Sequence, residues 1–182
     1  MSEPAISRPD PDEFAPFFER YVTLVRDRDV WGLMHAQIPI LRVVRDGLTE
    51  SEALRRYEAG KWSVKEVLGH LSDTERILSY RLFRISRGDR TPLSPFDENA
   101  YVEAAGFDRM DLSTLVDDFE RVRSATLGIL TGASPGSLER RGIASEREIS
   151  ARALVHIIAG HVEHHMRILG ERYGVDIPST VP

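Results

Sequence analysis

The stretch that decides the fold is GHVEHHMRIL, residues 160–169, near the end of the chain. It holds three of the six histidines within five residues: His161, His164 and His165. Apolar residues recur around it at intervals of three and four, which is the spacing of one face of an α-helix. The segment therefore predicts a long amphipathic helix that carries imidazoles.

Two of the three histidines lie on the apolar face of this helix. On a wheel of about 100° per residue, His161 and His165 fall within about 40° of one line through apolar residues. Those apolar residues are Leu154, Ile158 and Ile168. Polar rings on a core-facing stripe cost stability unless their nitrogen atoms are satisfied. A shared metal ion satisfies them, and a hydrogen-bonded structural role is the alternative.

The neighbouring polar residues point elsewhere. His164 lies about 60° from His161, at the edge of the apolar stripe, and Glu163 lies about 200° from it. The order is not the metalloprotease motif, in which Glu directly follows the first His. We therefore interpret Glu163 as a solvent-exposed or helix-pairing carboxylate and not as a catalytic base.

A metal site needs a third ligand from another part of the chain, and the remaining histidines are His35, His70 and His156. His70 lies at the edge of the apolar stripe of another predicted helix, so it can face the bundle axis. His35 is less suitable because it lies beside Pro39, and His156 points about 140° away from His161.

The composition limits the class of protein. The chain has 182 residues, of which 41% are hydrophobic and 29% charged, as in one globular domain of ordinary size. Its formal net charge of −5 gives no general attraction to nucleic acid or to anionic lipid. Since there is no cysteine, disulfides, thiolate metal sites and a cysteine nucleophile are excluded. No segment has the apolar length of a signal peptide or a membrane span, so we expect a cytoplasmic protein.

Helical periodicity runs through most of the sequence and predicts an all-α fold. We expect a flexible N-terminal arm over residues 1–12, where prolines break regular structure, and a single bundle domain over residues 13–182. Four principal helices and two shorter ones are predicted, at about 13–26, 30–46, 49–60, 63–88, 112–130 and 150–173. Pro39 should kink or break the second of these, and residues 89–99 and 131–148 are predicted as loops.

The predicted helix that carries His70 has further polar residues, for each of which the sequence allows two roles. Asp73, one turn on, either orients the His70 ring or pairs with a nearby arginine at the surface. Four arginines follow within twelve residues, and they either form a solvated face or attract an anionic ligand. They are Arg76, Arg81, Arg84 and Arg87.

Three segments, 60–89, 93–102 and 160–169, carry a resemblance to a known family. With their sequences GKWSVKEVLGHLSDTERILSYRLFRISRGD, LSPFDENAYV and GHVEHHMRIL, the chain resembles the DinB-like superfamily over about residues 14–175. The nearest branch is the one of YfiT-like proteins and bacillithiol S-transferases. The resemblance implies a four-helix bundle of up-down-down-up order, usually dimeric, with a divalent metal, often zinc or nickel, held by three histidines. Carried over to this sequence, the ligands are His70, His161 and His165.

The resemblance also implies a choice of functions. Known activities centre on low-molecular-weight thiols, and other members are described as metal-dependent hydrolases. We therefore expect a homodimeric, metal-dependent thiol S-transferase that acts on a small-molecule substrate, without nucleic acid or membrane partners. The alternatives are a metal-dependent hydrolase and a metal-binding stress protein with no enzymatic activity.

Overall fold

Seven α-helices and one β-hairpin follow one another in the computed structural model, which describes residues 6–178. The helices are α1 (Glu19–Leu24), α2 (Val30–Asp46), α3 (Val64–Ser86), α4 (Glu98–Ala105), α5 (Leu112–Thr131), α6 (Pro135–Leu138) and α7 (Ala151–Tyr173). The strands are β1 (Arg141–Ala144) and β2 (Arg147–Ser150), paired antiparallel. Short 3-10 turns occur at Pro11–Glu13, Pro16–Phe18, Glu52–Leu54 and Phe107–Arg109.

The two helices that carry the candidate ligands begin and end where their capping residues predict. Ser63 and Glu66 form a reciprocal capping box at the start of α3. Ser150 accepts a hydrogen bond from the Ala153 amide at the start of α7. Gly174 ends α7 at a φ of 63°, a left-handed conformation that glycine adopts without steric cost.

Two predicted helices are shorter than expected. Over 13–26, the helix is limited to α1, because Pro16 starts a separate 3-10 turn ahead of it. Over 49–60, a 3-10 turn of three residues replaces the predicted helix. Thr49 and Glu52 still form the hydrogen bonds of a capping box there, so the local start signal is present without the helix.

Three other expectations are corrected by the structure. Of the two outcomes expected at Pro39, a break does not occur, because α2 continues through this exposed residue, and the kink stays a prediction. The segment 89–99, predicted as a loop, contains the start of α4, capped by Asp97. The segment 131–148, also predicted as a loop, contains α6 and most of the hairpin. The hairpin escapes detection because Ser145 and Glu146, not glycine or asparagine, occupy its positive-φ turn positions.

The four long helices form the predicted four-helix bundle. Both α2 and α3 pack against α5 and α7, so α2 and α3 occupy opposite corners although they are consecutive among the long helices. One apolar cluster joins the N-terminal halves of α2 and α7 to the C-terminal halves of α3 and α5. A second cluster joins the opposite halves. Hence α2 and α7 run in one direction and α3 and α5 in the other, which is the up-down-down-up order.

A buried polar layer lies between the two apolar clusters. Arg123 on α5, with no exposed side-chain surface, donates two hydrogen bonds of 2.6 and 2.7 Å to the Glu75 carboxylate on α3. It donates another, of 2.6 Å, to the side-chain oxygen of Gln37 on α2. Gln37 in turn donates to Glu163 on α7 at 2.9 Å, and Arg28 pairs with Glu163 from the outside at 2.8 Å. The layer thus ties all four long helices together. Of the two readings that the sequence leaves for Glu163, the structure shows the helix-pairing carboxylate.

The described part of the predicted arm, residues 6–12, lies against the bundle. Arg152 on α7 pairs with Asp10 at 3.2 Å and also with the buried Glu13 carboxylate. Arg141 of β1 pairs with Asp12 at 3.0 Å. Residues 1–5 of the predicted arm lie outside the described residues, and the division into arm and domain stays a prediction. Within residues 6–178, no helix has the length and apolar character needed to cross a membrane.

The buried pair of Arg123 and Glu75 predicts a large effect of truncation. Replacing Arg123 with leucine should lower the free energy of unfolding by about 3–5 kcal/mol, because Glu75 would remain buried without a partner. Urea unfolding followed by circular dichroism measures this. The matched control is Arg121→Leu on the same helix, whose side chain is 73% exposed, and it should change stability by less than about 0.5 kcal/mol.

A double variant separates a lost partner from lost packing. Glu75→Leu combined with Arg123→Leu removes both charges and should recover a large part of the loss. A single Arg123→Leu variant as stable as the parent would contradict the assigned role of the polar layer.

Candidate metal centre

Three histidines converge between α3 and α7. His161 and His165 lie one turn apart on α7, and His70 faces them from α3. All three are buried, with one ring nitrogen from each lying within 4.8 Å of the others. The Nε2 atoms of His70 and His161 are 3.0 Å apart. The structure thus brings together the three residues that the resemblance implies as ligands.

A glycine directly precedes the first candidate ligand on each helix, Gly69 before His70 and Gly160 before His161, and each glycine lets another part of the chain approach closely. A Cβ at Gly160 would lie 2.2 Å from the backbone oxygen of Tyr21, so α1 can approach α7 only because this position has no side chain. A Cβ at Gly69 would lie 2.3 Å from the Phe107 ring, which therefore packs directly on α3. The approach of α1 places the Tyr21 ring against His161, with ring centroids 5.4 Å apart, and so helps to bury this histidine.

Burial keeps the three imidazoles neutral. Desolvation, followed by the charge of His164, lowers the pKa of His70 to about 4. Desolvation, followed by the neighbouring histidines, holds the pKa values of His161 and His165 well below the usual range. A neutral imidazole keeps one nitrogen lone pair free, which is the form that binds metals.

The donor set fits a divalent metal ion. Among the described residues, the buried Nδ1 atom of His165 finds no hydrogen-bond partner, an uncommon state for a buried polar atom. Nitrogen atoms bound to one ion at about 2.1 Å lie at most about 4.2 Å apart, so small ring rotations bring all three into range. Because the set contains neither sulfur nor carboxylate, it suits zinc, nickel, copper or iron.

The other histidines have different surroundings. His35 is exposed, with its ring against Trp31, and His156 is buried with its Nδ1 atom 3.0 Å from the Arg152 carbonyl oxygen. Neither joins the cluster. His164 is half-buried, and its ring centroid lies 5.1 Å from that of His165, so it is a neighbour of the cluster.

The Nδ1 atom of His70 lies near a threonine that the sequence analysis does not single out. The hydroxyl of Thr74 lies 3.3 Å from His70 Nδ1, so it can fix the orientation of the ring. Its signal in the sequence is the i+4 spacing. Asp73 instead pairs with Arg76 at 3.4 Å, which is the surface alternative for this residue.

The cluster lies in the wall of a cavity of about 520 Å³. Aromatic rings form much of the remaining wall, and Trp62 packs against His70 with its ring centroid 4.6 Å away. His164 also lines the cavity. A cavity of this size accommodates a small organic molecule beside the three histidines.

The fold and the site together define a class of protein: a four-helix bundle with a candidate three-histidine metal centre that opens into a ligand-sized cavity. Within that class, the family model described as the DinB superfamily matches residues 35–169, and this chain belongs to that superfamily.

Sequence identity to individual relatives is low or limited to part of the chain. The Bacillus subtilis (strain 168) protein YfiT is 32% identical over 78 residues, which span 42% of this chain and 43% of YfiT. The structure of YfiT, described as a probable metal-dependent hydrolase with an unusual four-helix bundle topology, matches with a TM-score of 0.70 at 19% identity. That match covers 93% of this chain and 95% of the other.

A second solved structure shares the fold. The mycothiol-dependent maleylpyruvate isomerase matches with a TM-score of 0.61 at 15% identity, over 88% of this chain and 64% of that chain. At such identities the two structural matches establish the bundle architecture alone.

The geometry of the cluster predicts the effect of removing one histidine. His165→Ala should abolish stoichiometric binding of zinc or nickel, because two imidazoles hold a divalent ion far more weakly than three. Equilibrium dialysis of untagged protein followed by elemental analysis measures this. The control is His35→Ala, which removes an exposed imidazole outside the cluster and should leave the metal content unchanged. Unchanged metal content in the His165 variant would rule out the assignment.

Proposed function

We propose that this protein is a metal-dependent thiol S-transferase. One observation carries the proposal: His70, His161 and His165 converge at the wall of a ligand-sized cavity in a chain without cysteine. Three protein ligands leave positions on the ion open to a substrate, as in catalytic sites. Since the chain has no thiol of its own, the attacking sulfur comes from a low-molecular-weight co-substrate.

A divalent ion held by the three imidazoles, zinc or nickel in our proposal, supplies a positive centre that lowers the pKa of a co-substrate thiol. The chain supplies the surroundings. The rings of Trp62 and Phe96 exclude water from part of the cavity. His164 faces the same cavity, with its ring centroid 5.1 Å from that of His165, so its ring is placed to accept the thiol proton.

The proposed transfer balances in atoms and electrons. The sulfur forms a bond to an electrophilic carbon, the carbon–leaving-group bond breaks, and the leaving group departs with the bonding pair. The thiol proton passes to His164 and then to solvent or to the leaving group. No oxidant or reductant is required.

A metal-dependent hydrolase is the second candidate, in line with the description of YfiT. The cavity favours it less, because among the described residues that line the cavity Glu98 is the one carboxylate, and it is exposed. A base for water activation would then have to be His164. A metal-binding stress protein without activity is the third candidate, and the ligand-sized cavity gives it no support.

The partners of the chain also remain proposals. We propose a homodimer that acts on a small-molecule substrate, without nucleic acid or membrane partners. Exposed aromatic residues on α3, Tyr80 and Phe83, offer apolar surface for a second copy. Sedimentation of the metal-loaded protein at micromolar concentration tests this assembly, and a monomer would contradict it.

The reaction is tested by measuring conjugate formation from a small thiol and a model electrophile. The metal-loaded protein should accelerate conjugation, and His70→Ala should abolish the acceleration, because its metal site lacks a ligand. His35→Ala is the matched control and should retain full activity.

The alternatives have distinct outcomes in parallel assays. Ester or amide hydrolysis without added thiol, dependent on the same metal, would replace the transferase with the hydrolase. Inertness towards both substrate types across several metals would favour the non-enzymatic protein.

A further inference from the structure

One arginine of α3 is buried without a carboxylate partner. Arg81 is 4% exposed, and its Nη2 atom donates to the Ser94 carbonyl oxygen at 2.7 Å and to the Ser145 hydroxyl at 3.0 Å. Among the described residues, no carboxylate pairs with it, and burial lowers its pKa without an opposing charge. A buried guanidinium is costly unless an anion accompanies it.

The other arginines of the same run behave as a solvated face. Arg76 pairs with Asp118, and Arg84 pairs with Asp89. Arg87 is exposed beside the Phe83 ring. Of the two roles predicted for these four arginines, the solvated face therefore applies to Arg76, Arg84 and Arg87. Attraction of an anionic ligand remains for Arg81, which alone among the four is buried and faces the interior.

Arg81 faces the cavity that holds the three histidines. It lies eleven residues after His70, so both occupy nearly the same face of α3, with Cα atoms about 16 Å apart along the helix axis. Arg20 and Arg147 also line the cavity, against the single carboxylate of Glu98. The cavity is therefore cationic, although the whole chain carries a net charge of −5.

The guanidinium is held in place by two connecting segments. Ser145 has a φ of 51°, an uncommon value for a residue other than glycine, and it turns the hairpin so that its hydroxyl reaches Arg81. Leu93 bridges to the same hairpin at Ala144, which fixes the loop that supplies the Ser94 carbonyl. Backbone strain of this kind persists where surrounding contacts impose it, and it is concentrated at functional sites.

We propose that Arg81, assisted by Arg147, forms a carboxylate-binding subsite for an extended small molecule whose other end binds at the three-histidine cluster. The planar guanidinium offers a fork of N–H donors that matches a carboxylate, and its Nε and Nη1 donors have no partner among the described residues. The anchoring of the far end rests on the proposed thiol function. The substrate class is therefore a thiol, or a partner electrophile, that carries a carboxylate several bonds from its reacting atom.

The test compares ligands that differ only in the anionic group. Linear ω-mercapto carboxylic acids and ω-mercapto alcohols of equal length are titrated into the metal-loaded protein by calorimetry. The parent protein should bind the best acid at least about tenfold more tightly than the matching alcohol, since a charge-assisted pair is replaced by a neutral contact. Arg81→Met should remove this preference and leave the affinity for the alcohol nearly unchanged.

Two further variants control for structure and charge. Arg87→Met removes an exposed arginine of the same helix and should retain the full preference. Arg81→Lys keeps the charge but not the planar fork and should retain only part of it. Thermal unfolding of each variant confirms that it is folded. Equal affinities for acid and alcohol in the parent protein, with the thiols and with the electrophile analogues described below alike, would overturn the subsite.

Failure of the thiol function is separable from failure of the subsite. If no thiol binds, linear monocarboxylates and the matching alcohols are titrated into the metal-free protein. A preference for the acid that depends on Arg81 then supports the subsite and refutes only the thiol anchor, whereas no preference refutes the subsite.

The source of the carboxylate is resolved by competition with unreactive analogues of the electrophile, with and without a carboxylate. An Arg81-dependent preference seen with these analogues alone assigns the carboxylate to the electrophile. A preference seen with the thiols alone assigns it to the thiol.

Discussion

The buried ion pair between Arg123 and Glu75 is the constraint on which the rest of the bundle depends. A charge in an apolar interior is tolerated only when its donors are satisfied, so the positions of the accepting groups on α2 and α3 are fixed relative to α5. Through Gln37 the constraint extends to α7. Sliding one helix by a turn would leave a charge unpaired, whereas purely apolar faces would tolerate it more readily. The polar layer therefore sets the axial register in which His70 meets His161.

In the candidate centre, residues without side chains stand next to residues with buried polar side chains. Gly69 and Gly160 remove side chains, so other elements approach the helices closely, and the adjacent histidines add polar rings to an apolar interior. The glycines allow close packing, and the histidines supply nitrogen lone pairs, of which the one at His165 Nδ1 has no hydrogen-bond partner among the described residues. Arg81 extends this pattern along α3 as a further buried polar group, with which no carboxylate pairs among the described residues. A cavity lined by such groups is suited to a ligand that brings both an electron-rich atom and an anion.

The helix wheel is sufficient to pick out His161 and His165 on α7, because both imidazoles lie within a long apolar stripe, one turn apart. The starts of α3 and α7 are also visible in the sequence, because the capping residues Ser63 and Ser150 bond to amides only three residues away. The sequence analysis does not predict the polar layer. The one local signal for it is that Arg123 lies four residues after the buried Phe119, which places a charged residue on an apolar stripe. Its partners come from helices 48 and 86 positions away, so no local pattern could have named them. The hairpin was missed because its turn lacks glycine and asparagine.

The contacts that define the centre join distant parts of the chain, since His70 and His161, whose Nε2 atoms are 3.0 Å apart, are separated by 91 positions in the sequence. Gln37 and Glu163, which fix the register nearby, are 126 positions apart. During synthesis, a ribosome-bound chain that lacks α7 has only His70 of the three candidate ligands and cannot offer the three-imidazole site. Metal capture thus becomes an event that follows translation of α7, and an ion once held would cross-link two segments that meet only in the folded bundle.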